Sequence, residues 1–577
     1  MKFNLENVAT PWLSSYSGVP AHLDYSEKSL YWTVKETAEN DPTFPALEFM
    51  GRSISFSKLI EMADIAAKGF YELGVRPGNR VLVCMPNVPQ AIYCMYGLSK
   101  IGAVSAMVHP LSAVGELVFY INEAQCDVAI TLDQFYGKFL EVRRQHPIRK
   151  LIIARVSDEL SFPLNLGQKL LTERKFPKVR KGDDTLLWKD LLALGRNSTA
   201  KVDYDKDPLK EAVVLFSGGT TGTTKGIMLS DLNFNALARQ TEAMAHERVR
   251  RAKMLAAMPI FHGFGLGVCI HTMMVCGGTS ILVPRFNVKS YSALIKKHRP
   301  SFIAGVPTLY EAITRTDYLD GVDLSCLRGV FSGGDSLTIE LKKKFDKFLS
   351  EHNASVRIRE GYGTTECVTA CCLTPYDKEK EGSIGIPYPD TYFKICTPGT
   401  CEEVPYGEEG EICLTGPSMM IGYINHEQEN AQTLRVHPDG HTWLHTGDLG
   451  FMDEEGFIFF RQRIKRMIIT SGYNVYPSQV ENILEGHPAV QRSCVIGVAD
   501  PLKMQRVKAF VVLTKGYEDT PEVRESIMDH CRAHIAKYAL PYEIVVRDSL
   551  PTTLVGKVAY TKLEEEEAQK KVEGTQS

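Results

Sequence analysis

From Ala46 onward, short apolar runs alternate with amphipathic stretches along most of the chain. Arg80-Val-Leu-Val-Cys-Met-Pro86 reads as a buried strand closed by proline, Gln90–Gly102 as a helix, and Ala103-Val-Ser-Ala-Met-Val108 as the next strand. Leu117–Glu123 followed by Asp127-Val-Ala-Ile-Thr131 repeats the helix–strand unit. Such alternation predicts an α/β fold whose sheets are largely parallel and covered by helices. An N-terminal extension with an amphipathic helix near Leu30–Glu39 precedes it.

Four later strands end in small or hydroxyl residues. Ala212-Val-Val-Leu-Phe216 runs into Ser217-Gly-Gly-Thr-Thr-Gly-Thr-Thr-Lys-Gly226. Ser301-Phe-Ile-Ala-Gly-Val-Pro307, Arg328-Gly-Val-Phe-Ser-Gly-Gly334 and Val356-Arg-Ile-Arg-Glu-Gly-Tyr-Gly-Thr-Thr-Glu366 end in the same manner. In open parallel sheets, ligands sit at such carboxyl ends. Between them, Met254–Pro259 reads as a strand followed by the aromatic–His–Gly turn Ile260–Gly267, and Leu232–His246 as a helix.

Beyond Glu408 the pattern changes to short strands, Glu411–Gly416 and Gly456–Phe460, in a compact β-rich subdomain at about 390–460. Between them Trp443-Leu-His-Thr-Gly-Asp-Leu-Gly450 reads as a turn that displays Asp448. A basic run, Arg461–Arg466, leads into a small α+β domain at 465–577: strands at Met467–Thr470, Cys494–Val498 and Val507–Leu513, helices at Pro477–Glu485 and Glu522–Ile535. The charge run from Glu564 predicts a frayed tail.

Within the first 464 residues, one segment breaks the rhythm. Residues 134–207 read as a basic insertion; over 134–181, twelve Lys/Arg stand against four Asp/Glu, with apolar residues interleaved at Phe162–Leu171. A solvated insertion accounts for this, and so does a patch resting on anionic lipid.

Composition narrows the classes further. At 577 residues the chain is long enough for roughly three or four folding units. A net charge of −3 argues against a protein that coats nucleic acid. Met1-Lys-Phe-Asn-Leu-Glu-Asn7 lacks a signal-peptide pattern, and no run approaches the ~18 apolar residues of a membrane helix. The fourteen cysteines show no zinc spacing, and together these features predict a cytoplasmic protein with reduced thiols.

The candidate chemistry lies at the strand ends. Residues 217–226 hold four glycines, four threonines and one lysine. Backbone amides, hydroxyls and an ammonium suit a polyphosphate, although a flexible linker has the same composition, and the spacing is not that of a Walker A loop. Tyr362 between glycines offers a flat face for a base, and Thr364, Thr365 and Glu366 supply oxygens of the kind that hold Mg²⁺ beside phosphates. Asp448 is placed to bind ribose hydroxyls.

With these segments in order, the chain resembles the acyl-adenylate-forming (AMP-binding, luciferase-like) superfamily, and most of all a long-chain fatty acid–CoA ligase. The resemblance runs from about Leu47 to Leu563 through seven motifs: Ser217–Lys225, Pro259–Gly265, Ser332–Asp335, Glu360–Glu366, Thr446–Asp448, Arg463–Gly472 and Gly556-Lys557. It implies that a carboxylic acid attacks the α-phosphate of ATP to give acyl-AMP and pyrophosphate, and that the coenzyme A thiol then displaces AMP. Transfer to a carrier protein, or use of an aromatic or steroidal acid, are the alternatives.

By the same resemblance, Ser217, Gly218, Gly219, Thr220, Thr221, Gly222, Thr223 and Lys225 cradle the β- and γ-phosphates. Glu366 with Ser217 holds Mg²⁺, and Thr365 contacts the α-phosphate. Tyr362 stacks on adenine beside Gly334 and Asp335, with Glu360, Gly361, Gly363 and Thr364 shaping the same pocket. Asp448 and Arg463 hold the ribose, and Lys557 bridges the carboxylate and α-phosphate. Lys465 matches the hinge about which a small, mobile C-terminal domain turns between half-reactions. Ser471, Gly472 and Tyr473 line the pantetheine path, while His262 and Phe264 gate the acyl pocket. The chain departs from the family pattern at Thr224, Gln462 and Met504-Gln505.

Overall fold

The computed structural model describes residues 3, 5, 7–167, 175–204, 207–216, 224–470, 473–500, 503–553 and 557–575. Two large sheets form its centre. One has eight strands, in the order Gly422–Tyr423, Gly226–Ser230, Glu211–Phe216, Val104–Met107, Arg80–Cys84, Val128–Leu132, Lys150–Ala154 and Thr185–Leu187. The other has nine: Ile386–Pro387, Cys372–Leu373, Ile358–Tyr362, Gly329–Ser332, Phe302–Gly305, Lys253–Ala256, Thr279–Leu282, Pro45–Phe49 and Arg52–Ser55. Their central strands pair in parallel. These strands are nearly continuous apolar runs because helices bury both faces.

Local chemistry sets the helix boundaries. Ser55 Oγ accepts the Lys58 amide at the start of Phe56–Glu72, and Ser230 Oγ accepts that of Asn233 at the start of Asp231–Ala245. Phe56–Glu72 packs closely on Pro89–Lys100 because Gly97 has no side chain; a Cβ there would lie 2.9 Å from the Ala63 carbonyl oxygen. The two sheets are joined through buried Asn87, whose Nδ2 donates to the carbonyls of Ala256 and Met258 at 3.0 and 2.8 Å while its Oδ1 accepts the Ile260 amide at 2.8 Å.

The expected insertion at 134–207 is in part regular structure. Lys150–Ala154 and Thr185–Leu187 extend the eight-stranded sheet in parallel, and Trp188–Asn197 packs on Phe56–Glu72. Charged residues between buried Leu151–Ala154 and Trp188 mask the α/β alternation in the sequence. The exposed apolar residues Phe162, Leu164 and Leu166 lie between these two strands.

A third, antiparallel sheet runs Tyr392–Cys396, Gly410–Thr415, Thr442–Met452 and Leu434–Val436, with Ile458–Arg463 pairing on Thr442–Met452. Trp443–Gly450, expected as a turn, is therefore the middle of a long strand. Gly447 has positive φ, and the register shifts between Leu449 and Gly450, so glycines that signal a turn here mark a bulge. The N-terminal arm seals this unit. Trp12 fills the space above Gly456, and Asp390 receives the Tyr25 hydroxyl at 2.6 Å and the Leu23 amide at 2.9 Å.

The fourth sheet comprises Tyr473–Val475, Ile468–Thr470, Met504–Leu513, Val490–Asp500 and Glu543–Val546. Among the described residues its strands pair only with one another. The tail is not frayed at its start: Tyr560–Thr575 is a helix, with Leu563 fully buried and Glu567 paired to Lys508 at 2.6 Å. The acidic run conceals an inward face that this lysine recognises. All fourteen cysteines are free thiols.

Candidate active site

The site forms where the carboxyl ends of Gly329–Ser332 and Ile358–Tyr362 meet the β-rich sheet and the Lys557 loop. Gly334, at φ +80°, makes the turn after Ser332, and a Cβ at that position would sit 3.7 Å from Lys557 Cε. Lys557 is tied to Thr553, its amide donating to Thr553 Oγ1 at 3.1 Å and its carbonyl accepting the Thr553 amide at 2.7 Å. Burial holds the ammonium below its ordinary range, against the attraction of Asp335 and Asp448.

Asp448 comes from the bulged strand. Its Oδ2 accepts the Tyr362 hydroxyl at 2.7 Å, and its Oδ1 lies 3.3 Å from Arg463 Nε, directly across the strand pair. Burial pushes the carboxyl above its ordinary value, with Arg463 opposing. The Oδ1 atom is buried with no hydrogen-bond partner. Tyr362 packs its ring against Phe460 with centroids 6.1 Å apart. Gly363 has no room for a side chain, since a Cβ would fall 1.9 Å from the Thr369 carbonyl oxygen.

Glu366 is the middle residue of the Thr365–Cys367 turn. Its Oε1 accepts the hydroxyl of Tyr423 at 2.8 Å, and its carbonyl accepts the Met420 amide at 2.7 Å. Thr364 is held by Cys367, whose sulfur lies 3.4 Å from its amide. Glu360 accepts the Leu337 amide at 3.0 Å, which fixes the loop carrying Gly334 and Asp335, and burial pushes its carboxyl up to about 7. Gly361 lines the neighbouring cavity. Lys225 Nζ lies 3.9 Å from Glu429 and 5.1 Å from the centre of the Tyr423 ring. Ser217–Thr223 and Ser471-Gly472 lie outside the described residues, as does the Lys465 side chain. Tyr473 stacks on Tyr538 at 4.6 Å.

Beside Lys557 a cavity opens between Gly333-Gly334 and the π-helix Phe264–His271. The expected turn at Ile260–Gly267 thus leads straight into helix. Gly265 lets the chain pass against the Pro259 carbonyl, since a Cβ there would lie 2.1 Å from that oxygen. The lining is chiefly apolar and includes Ala245, Val249, Met254, Phe264, Met273 and Phe302. It runs from the carboxyl end of the sheet at Ser332 toward the amino ends of the strands at Met254 and Phe302. His262 Nδ1 accepts the amide of Phe264, a lining residue, at 3.2 Å. Burial, with Lys557 nearby, drives the imidazole down to about 3, so it is neutral.

Sequence reasoning missed Tyr423 and Arg492. Tyr423 follows Gly422 in a two-residue strand too short for a periodic signal. Arg492 crosses from the small domain to Glu311 at 3.3 Å and stands 4.0 Å from Asp335, a relationship set only by tertiary packing.

Two parallel-centred sheets, an antiparallel sheet and a small α+β unit, all contributing to one site, define an enzyme that handles a nucleotide. The chain belongs to the AMP-binding enzyme family: residues 34–424 match that family, and 479–557 match the AMP-binding enzyme C-terminal domain. It is 34% identical to the long-chain-fatty-acid–CoA ligase of Bacillus subtilis (strain 168), over 97% of this chain and 98% of that one. To the long-chain-fatty-acid–CoA ligase of Escherichia coli O6:H1 it is 30% identical, over 96% and 98%. The anthranilate CoA ligase AuaEII, solved with anthranoyl-AMP, superposes with a TM-score of 0.82 at 22% identity, covering 96% of this chain and 99% of that one. ATP-bound MatB from Rhodopseudomonas palustris gives 0.80 at 23% identity, covering 94% and 99%. These two are likenesses of fold.

Proposed function

We propose that this enzyme joins a fatty acid to coenzyme A through an acyl-AMP intermediate, at the expense of ATP. The observation that carries the reading is the apolar cavity whose mouth, at Gly333-Gly334, lies against Lys557. An alkyl chain there brings its carboxylate to the buried Lys557 ammonium beside the nucleotide site. The names of the curated relatives support the same reading.

In the first half-reaction a carboxylate oxygen attacks the α-phosphorus, and the bond to the pyrophosphate oxygen breaks. Lys557 lies between acid and phosphate and offsets charge on both, while Thr365 donates to the α-phosphate. Asp448 Oδ1, with Arg463 beside it, accepts from ribose hydroxyls, and Tyr362 presents its ring to adenine. The Ser217–Lys225 loop holds the departing pyrophosphate. Preorganised charge of this kind acts strongly because the site is dry.

Glu366 offers a hard carboxylate oxygen, oriented by the Tyr423 hydroxyl, a donor that fits Mg²⁺ held mainly by ATP oxygens. With Ser217, Glu366 would hold that ion, which neutralises charge on the phosphates when bound. In the second half-reaction the coenzyme A sulfur attacks the acyl carbonyl, its proton is lost, and AMP leaves. Rotation about Lys465 would withdraw Lys557 and bring Ser471, Gly472 and Tyr473 to the pantetheine arm. Neutral His262 and Phe264 would gate the cavity without adding charge.

No helix of the described residues is long and apolar enough to cross a membrane. Phe162, Leu164 and Leu166 are 80%, 59% and 52% exposed beside the basic run to Lys181, which supports peripheral contact between a cytoplasmic enzyme and anionic lipid. Sedimentation with anionic vesicles at low salt tests that contact, and absence of binding removes it.

ATP–pyrophosphate exchange over a panel of fatty, aromatic and steroidal acids, with loss of free coenzyme A thiol followed in parallel, tests the main reading. Exchange driven by long-chain acids with matching thiol consumption is expected. Exchange without thiol consumption would redirect the acyl group to a carrier protein.

A further inference from the structure

The β-rich sheet holds a group of sulfur and imidazole donors that adenylation does not use. His437, just after the strand Leu434–Val436, and His445, within Thr442–Met452, are 3% and 6% exposed. Their Nε2 atoms face each other at 2.9 Å. Half-buried Cys401 lies in the loop joining Tyr392–Cys396 to Gly410–Thr415. One donor atom from each of Cys401, His437 and His445 lies within 4.8 Å of the other two. On the opposite edge of the His445 ring, Nδ1 is 2.9 Å from Glu411 Oε2, and Glu411 Oε1 accepts the Gly447 amide at 3.0 Å.

A proton count shows what this arrangement lacks. The Glu411 carboxylate accepts from His445, which puts the proton on Nδ1 and a lone pair on Nε2. His437 covers that lone pair with its own Nε2–H. The remaining nitrogen, His437 Nδ1, is then a bare lone pair, and it is buried without a hydrogen-bond partner. Two imidazoles thus present more lone pairs than the protein supplies donors to cover. A thiol stands beside them, and a carboxylate orients one ring from behind, as in carboxylate–histidine–metal arrangements.

We propose that Cys401, His437 and His445 bind a zinc ion, with Glu411 positioning His445. Zinc–nitrogen bonds of about 2.0–2.1 Å and a zinc–sulfur bond of about 2.3 Å put tetrahedral donors roughly 3.3–3.6 Å apart. The facing Nε2 atoms, now 2.9 Å apart, need part by only a few tenths of an ångström, the His437 proton passing from Nε2 to Nδ1, and the Cys401 sulfur closes in from within 4.8 Å. Water fills the fourth position. Binding replaces the thiol proton by the metal, so one proton leaves, and the thiolate with Glu411 offsets the two charges of the ion. Of the nearby cations, Lys394 is already paired with Asp439 at 2.9 Å and Arg435 donates to the Gly399 carbonyl at 2.9 Å. His445 and Asp448 share one strand, so the ion would tie the Cys401 loop to the strand that carries the ribose-binding acid.

The full-length protein, stripped with a chelator and returned to Zn²⁺ or Co²⁺ before gel filtration, tests the site. Wild type should retain about one equivalent, as three protein ligands with one metal require. It should also show a thiolate-to-Co²⁺ charge-transfer band and a higher melting temperature with zinc. Cys401→Ser and His437→Gln should bind at least about tenfold more weakly and lose both signals. Cys326→Ser, a half-buried thiol outside this sheet, should keep them. If His437→Gln does not fold, Cys401→Ser decides alone, because Cys401 is a half-buried loop residue and the change replaces only its sulfur. Failure of wild type to retain metal, or equal retention by Cys401→Ser, overturns the assignment.

Discussion

The Tyr362 hydroxyl donates to Asp448 Oδ2 at 2.7 Å and so leaves Oδ1, buried and without a hydrogen-bond partner, turned to the nucleotide site beside Arg463. An acceptor held in that state waits for a donor from the ligand. Hydrogen bonds to charged groups contribute about 1.5–3 kcal/mol. Asp448→Asn should therefore raise the KM for ATP in pyrophosphate exchange by roughly 10- to 100-fold, with little change in the KM for the acid. An unchanged KM for ATP would remove the ribose assignment.

Lys557 divides the two half-reactions. Lys557→Ala should slow ATP–pyrophosphate exchange by about 10²-fold or more, while thioester formation from preformed acyl-AMP continues. Equal loss in both assays would count against a role confined to the first step.

The same lysine sets an alkaline limit. Its folded value lies below the ordinary one because of burial, and only the charged form offsets phosphate. Exchange should fall as pH rises through that lowered value, and Lys557→Arg should carry the limb to higher pH. A profile identical in the two proteins would show that another group titrates.

His271 is fully buried between the Tyr96 hydroxyl, 3.1 Å from Nδ1, and Asn235 Oδ1, 3.0 Å from Nε2. Burial lowers it from 6.5 to about 3, so between those values the unfolded chain binds a proton that the native one refuses. Stability contributed by this group is present above pH 6.5 and is lost as pH falls, by about 1.4 kcal/mol per unit. Melting temperature should drop less steeply between pH 7 and 5 in His271→Gln than in wild type. Parallel curves would refute the assignment.

Val249 lies toward the amino ends of the strands, at the end of the cavity remote from Lys557. Val249→Phe should lower kcat/KM for long-chain acids relative to medium-chain acids by about tenfold, since overpacking costs roughly 1–3 kcal/mol. Loss of both substrate classes in equal measure would place the alkyl chain elsewhere.

Gln462 is 1% exposed, and neither polar atom of its amide has a hydrogen-bond partner among the described residues. A buried polar group in that condition costs about 1–3 kcal/mol. Gln462→Leu should raise the melting temperature. A fall would mean that the amide is satisfied in another domain arrangement.

The strand ends at Ser332, Tyr362 and Phe216 were legible in the sequence because glycines and hydroxyls follow apolar runs there. Three features were not. Gly447 and Gly450 signal a turn whether they close a hairpin or bulge a strand, and only pairing with Ile458–Arg463 distinguishes the two. The inward face of Tyr560–Thr575 depends on Lys508, far away in sequence, to make Glu567 a buried partner. The strands within 134–207 are short and the chain between them is rich in charge, so the segment looks like an insertion. Arg492 and Tyr423 left no trace because their partners, Glu311 and Glu366, are selected by packing rather than spacing.

The N-terminal arm is seated on residues made late in synthesis: Trp12 against Gly456, and Tyr25 on Asp390. As the ribosome extends the chain, Trp12 has no berth until almost the whole large domain has emerged. The two central sheets must therefore gather before the arm can close over them. Trp12 and Tyr25 thus settle late, and substitution of either acts on the final stage of assembly rather than on its start.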